Sequence, residues 1–173
     1  MALLLAPMAL FTVAQAQAQT LEYPIKAAFL FKFGEFAQWP PGAFEASGGT
    51  LNICIVGDSG FAAIVANAVK GEMVAGRQVL AQGLASIAAS DPCHIAYIAG
   101  SAKQSVEDAL EVVRGRPMLT VTDESRCGAA GVIHFVVRGN RVRFAIDDGA
   151  AAVNGLTLSS ALLNIAESVH RRG

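Results

Sequence analysis

The sequence predicts a single α/β domain: a mixed, mostly parallel sheet with helices on both faces and an antiparallel hairpin near the C-terminus. Three observations carry this. Residues 51–58, Leu-Asn-Ile-Cys-Ile-Val-Gly-Asp, form a continuous apolar run closed by Gly57-Asp58. That is the pattern of a strand buried on both faces and followed by a βα turn. A second run of this kind spans 93–100, and strand-like and helix-like segments alternate around the two, which argues for parallel strands with helical crossovers. The third observation is the 173-residue length, for which one domain is the default. A chain of this size buries about two-thirds of its unfolded surface, so its core needs no covalent staple.

The first residues read as an export signal. Positions 2–13 are uncharged and almost wholly apolar, the length of a secretory h-region and short of the ~20 apolar residues of a membrane span. Ala14-x-Ala16 and Ala16-x-Ala18 both fit the small-residue cleavage rule. The pattern departs from the rule in having no Lys or Arg before the apolar run. Residues 1–18 are therefore expected to be a signal peptide cleaved near Ala16 or Ala18, leaving a folded domain over 19–173. Export permits a disulfide.

The elements follow in order. A helix is expected over 23–38, with Pro24 in its first turn. Ile25, Ala28, Phe29, Phe33 and Phe36 form its core face, and Lys26, Lys32 and Glu35 lie off it. Trp39-Pro40-Pro41-Gly42 ends it. The strand at 51–57 leads to a helix over 59–70, capped by Ser59 and ended by Gly71. A short strand spans 77–82, a weak helical turn 84–89, a strand 94–99, a helix 101–114 and a strand 117–122. Residues 132–137 and 141–146 then make a hairpin whose turn residues, Gly139 and Asn140, can take positive φ. This pair is expected at a sheet edge. A final helix over 159–170 is capped by Ser159 or Ser160, with His170, Arg171 and Arg172 at its C-terminal dipole.

Chemical motifs are sparse. Cys93-His94 are neighbours on a strand, so they point to opposite faces and do not pair as thiolate and imidazole. The three cysteines and three histidines show no metal-ligand spacing. Gly57-Asp58-Ser59-Gly60 sits where a βα turn can hold a small anion, but without the glycine fingerprint or phosphate-binding lysine. Net charge is −1, which gives no support to general nucleic-acid binding. No catalytic residue, cofactor or metal is assigned. Arg138, Arg141 and Arg143 cluster on the hairpin, either as a solvated face or as a docking surface. Phe29, Phe31, Phe33, Phe36 and Trp39 cannot all face one core, so Phe31 or Trp39 is a candidate partner contact. Cys54 and Cys93 lie on strands that can be neighbours; the residues alone leave a disulfide and two buried thiols both open. Cys127, in a polar stretch, is the expected free thiol.

Eight marks in order resemble one family, the YfiR-like periplasmic regulators, over almost the whole mature chain. They are the run from Ile25-Lys26-Ala27-Ala28-Phe29 to Trp39-Pro40; Asn52-Ile53-Cys54-Ile55-Val56-Gly57-Asp58; Val74-Ala75-Gly76-Arg77; Cys93-His94-Ile95; Leu119-Thr120-Val121-Thr122-Asp123; Gly131-Val132-Ile133-His134-Phe135; Arg141-Val142-Arg143-Phe144; and Leu156-Thr157-Leu158-Ser159. The resemblance implies a non-catalytic α/β protein of the periplasm, a homodimer. It also implies that the protein represses a membrane-bound diguanylate cyclase through the cyclase's periplasmic part, controlling cyclic di-GMP, biofilm and motility. It implies a Cys54–Cys93 disulfide as well. The departure is near Cys127: the best-known member has a second disulfide late in the chain, and only one cysteine is present here. A periplasmic small-ligand binder using Gly57 to Gly60 is the alternative function.

Overall fold

The computed structural model describes the backbone of residues 11–126 and 128–172, with side chains from Leu21 onward. Cys127 and the first ten residues of the expected signal peptide lie outside the described residues. In chain order the elements are α1 (Phe11–Phe36), β1 (Ala37–Gln38), β2 (Leu51–Val56), α2 (Ser59–Ala68), β3 (Met73–Val74), β4 (Arg77–Leu84), β5 (Ile95–Ile98), α3 (Val106–Val112), β6 (Leu119–Asp123), β7 (Ile133–Arg138), β8 (Arg141–Asp147), α4 (Asp148–Val153), β9 (Thr157–Leu158), α5 (Ser160–Ile165) and β10 (Ser168–His170). No described helix is long and apolar enough to cross a membrane.

The main sheet has the order β10-β8-β7-β6-β5-β2-β4-β3, and β1 and β9 form a separate antiparallel pair. The two apolar runs noted first, β2 and β5, are adjacent and parallel, with Ile53 opposite Ile95 and Val56 opposite Ile98. Alternation along the strands loads both faces. Ile53, Ile55, Ile95, Tyr97, Val121 and Phe135 pack with α1, α2 and α5 on one side. Cys54, Val56, Ala96 and Ile98 pack with Val106, Ala109 and Val113 of and beside α3 on the other. Helices therefore cover both faces, as the sequence predicts.

Cys54 and Cys93 are bonded, with Cα atoms 5.8 Å apart. Cys54 stands opposite Ala96. A straight strand running back from Ala96 would turn Cys93 to the other face. The turn at Asp91-Pro92, in which the Cys93 N–H donates to Asp91 O at 2.8 Å, breaks that alternation. Both sulfurs then lie in the cluster under α3.

The hairpin forms as expected, Gly139 and Asn140 taking φ +54° and +59°, the left-handed pair of a two-residue turn that matches strand twist. It is not the sheet edge, however. The expected last helix ends at Ile165, and β10 adds parallel to β8, Val169 opposite Ile146. Val169 thus serves a strand, and Arg172 reaches Asp148 at 2.8 Å instead of a helix terminus. Residues 84–89 close β4 and continue as turn without forming a helix. Asp58, not Ser59, caps α2, its side chain accepting from the Phe61 N–H. The short α4, capped by Asp147, was not expected.

The largest difference lies in α1. It begins at Phe11, so Pro24 is interior. Its sheet-facing stripe runs through Lys26, Ala27, Leu30, Phe31 and Phe33, all buried. Ile25, placed on the core by spacing, is 43% exposed, and Lys26, placed off it, is 0% exposed. Helix and sheet approach closely at Gly34, where an added Cβ would lie 3.2 Å from Leu51 and Val74 side-chain carbons.

Candidate partner-binding face

In open α/β sheets, ligands bind outside the carboxyl ends of the strands, where the crossovers switch sides. Here that point lies between β2, followed by α2 on one face, and β5, followed by α3 on the other. The protein fills it with its own side chains. The two turns touch: Gly57 has φ +85°, and a Cβ on it would fall 2.0 Å from Gly100 O. Asp58 Oδ1 accepts the Phe61 N–H at 2.8 Å, and Oδ2 pairs with Arg126. Arg126 also donates to Tyr23 Oη at 3.1 Å. A carboxylate already sits at the α2 N-terminus, and an incoming anion there would meet its charge. Ser59 and Gly60 are exposed beside it. Asp58→Ala removes both the cap and the partner of Arg126; a loss of about 1–2 kcal/mol is expected, read as a lower denaturant midpoint at unchanged m.

Beside this lies a buried charged cluster. Lys26 Nζ pairs with Asp123 and with Glu22. Asp123 Oδ2 accepts the Tyr97 O–H at 3.2 Å, and Oδ1 accepts the Ser125 N–H at 2.9 Å and Oγ–H at 2.8 Å. Burial alone would push the Asp123 carboxyl up. The Lys26 hydrogen bond, the Ser125 N–H, the Lys26 charge and the Ser125 hydroxyl outweigh it and hold that carboxyl below the ordinary range. Tyr97 is pushed far up, first by burial and then by the Asp123 charge.

The outer stripe of α1 is different in kind. Ile25, Ala28, Phe29, Phe33 and Phe36, with Phe144 of β8 and Leu162 and Ile165 of α5, line a groove of about 360 Å³ whose exposed lining is apolar. Its floor is aromatic: Phe33 meets Phe144 edge-on at 5.1 Å, and Phe29 does so at 5.7 Å. Ile165 at the rim is 60% exposed. Lys32, also lining the groove, pairs with Glu35 at 3.0 Å.

The residues singled out from sequence are not brought to one place. Phe31 is 9% exposed and belongs to the core, with the Lys32 ammonium 5.3 Å from its ring centre. Trp39 is half-buried in a loop cluster, edge-on to Phe44 at 5.6 Å. Phe44 is sandwiched between the His94 ring at 4.3 Å and the Arg77 guanidinium at 3.9 Å. His94 is lowered by burial first and by Arg77, against the bond to Ala43. The neutral ring suits its place: Nδ1 accepts the Asn52 N–H at 3.0 Å while Nε2 faces Ala43 O at 3.1 Å. Arg138, Arg141 and Arg143 do share one sheet face, with Arg138 directly opposite Arg141. Like charges so placed repel; Glu124 offsets this by pairing with Arg138 at 2.8 Å. Their face is the one turned away from Phe144, so β8 separates a basic surface from the apolar groove. The groove itself was missed, although the excess of aromatics on one helix was its signal.

A closed crevice, a paired buried charge cluster and an apolar groove backed by a basic strand face define an α/β domain that presents surfaces to another molecule. The chain belongs to the YfiR/HmsC-like family, whose model matches residues 23–167. Membership makes it, in general terms, a periplasmic regulator of cyclic di-GMP signalling. Comparison with curated proteins yields no match.

Proposed function

We propose that the protein, exported by cleavage of residues 1–18, binds and represses the periplasmic sensor part of an inner-membrane diguanylate cyclase. The observation that carries this is the groove between α1, β8 and α5, where apolar side chains stay open to solvent on an otherwise well-covered core. Such a surface gains free energy when a complementary apolar segment covers it. The arginines of β7 and β8 add a basic face that steers an acidic partner. Repression is then differential affinity: the protein prefers the inactive conformation of the sensor. Moving that sensor from ~1% to ~99% inactive takes about 5.5 kcal/mol of preference. The small-ligand alternative draws less support, since Gly57 is packed on Gly100 and the Asp58 carboxylate already caps α2.

Ile165→Glu places a charge on the groove rim and removes an apolar contact of about 1.5–3 kcal/mol. Binding to the cyclase periplasmic domain is expected to weaken by about tenfold or more, with a rise in intracellular cyclic di-GMP that needs the cyclase. Leu80→Glu, at an exposed position on β4 away from the groove, is the matched control. Wild-type affinity in Ile165→Glu, with the fold intact, overturns the reading.

A further inference from the structure

The helix α1 has two apolar stripes that share Phe33, and only one of them is fully covered. Ile25, Phe29, Phe33 and Phe36 read as a core face at helical spacing, yet three of these four line the groove while still partly open. Rotating the helix by one residue, about 100°, would bury that stripe in place of Ala27 and Leu30. Apolar content alone does not choose between the two settings, because both stripes are apolar. Lys26 does choose. In the observed setting its ammonium meets Asp123, which is 1% exposed and also held by Tyr97 and Ser125. In the rotated setting Lys26 would leave the cluster, and Asp123 would remain buried without its cation. The clearance at Gly34 fits the observed setting as well.

We propose that Lys26 and Asp123 are positioning residues that fix the rotation of α1 and thereby hold Ile25 and Phe29 in the groove wall. This rests on the groove as the partner site. Buried ion pairs that select one register among near-equal packings are the best-attested use of such pairs, and they need add no net stability. The pair acts through the groove residues and touches no partner itself.

The test uses the full chain. Lys26→Met/Asp123→Leu removes both buried charges together, leaving only the Tyr97 hydroxyl, Ser125 and the partly exposed Glu22 without their partners, while Lys26→Arg keeps the charge. The readouts are thermal stability, backbone amide exchange over residues 21–36, and binding of the apolar dye 1-anilinonaphthalene-8-sulfonate. The double variant is expected to melt well above Lys26→Met, yet to exchange its α1 amides about tenfold faster than wild type and to bind the dye about tenfold more weakly. Lys26→Arg is expected to match wild type in all three. Recovery of stability together with wild-type exchange and dye binding in the double variant means a merely structural pair and overturns the proposal. If the double variant does not fold, Asp123→Asn replaces it: faster exchange confined to α1 supports the proposal, and faster exchange spread through the sheet overturns it. Ile165→Glu separates the two claims. Unchanged dye binding in that variant removes the groove reading, while the exchange data still judge the pair.

Discussion

Lys26→Met is expected to lower the unfolding free energy by about 3–5 kcal/mol, the range for removing one partner of a buried ion pair. The loss comes from what remains. Asp123 would keep its buried place, with the Tyr97 and Ser125 donors but no counter-charge. Acid acts on the same pair from the other side. The folded-state carboxyl lies below its ordinary value, because the Lys26 and Ser125 contacts outweigh the burial that opposes them. A depressed carboxyl stabilises fully above its unfolded value of about 3.9, and that contribution is lost as pH falls through the lower, folded value. In the variant the carboxyl has no cation to hold it ionised. The stability gap between wild type and Lys26→Met is therefore expected to be widest near neutral pH and to narrow below pH ~4. Urea titrations of both proteins at a series of pH values check this; a gap independent of pH would place the loss in packing rather than charge.

The same residue shows where reading the chain stops. Strands β2 and β5 were legible because a strand buried on both faces has little phase to mistake: every position but Asn52 is apolar or aromatic. The hairpin was legible because Gly139-Asn140 is local chemistry that two positive φ angles demand. The rotation of α1 was not legible. Its two stripes, Ala27-Leu30-Phe31 and Ile25-Phe29-Phe36, carry similar apolar content, and spacing favours the more aromatic one. The deciding contact joins residues 97 positions apart in sequence, beyond any window. For the same reason spacing puts Ile25 on the core and leaves Phe31, with Trp39, as a candidate partner contact, and it gives no view of the groove. The end of the chain failed differently. Val169 and His170 sit in β10 because β8 offers an open edge, a tertiary opportunity that overrides a plausible continuation of α5. The two-residue pair β1–β9 has no sequence signal at all; it exists because Ala37 and Leu158 are brought together by the helices that precede and follow them.

Removing the disulfide, in Cys54→Ala/Cys93→Ala, is expected to cost about 4 kcal/mol on the chain-entropy relation, since the two cysteines are 39 residues apart. For a chain of this length that corresponds to a melting temperature lower by about 8–16 °C. The bond's place in the fold predicts how it responds to reductant. Cys54 and Cys93 are 0% and 6% exposed under α3, and exchange requires a thiolate to reach a sulfur. The native protein is therefore expected to keep the bond in millimolar dithiothreitol and to lose it only in denaturant, where the loop opens. Quantifying free thiols with time under both conditions checks this. Fast reduction of the native state would mean that α3 opens readily. The bond would then be a surface switch, and redox would control the sheet on which the groove is built. Slow reduction leaves the bond as a fixed brace between β2 and the turn before β5, and regulation must then enter through the faces that the fold leaves open.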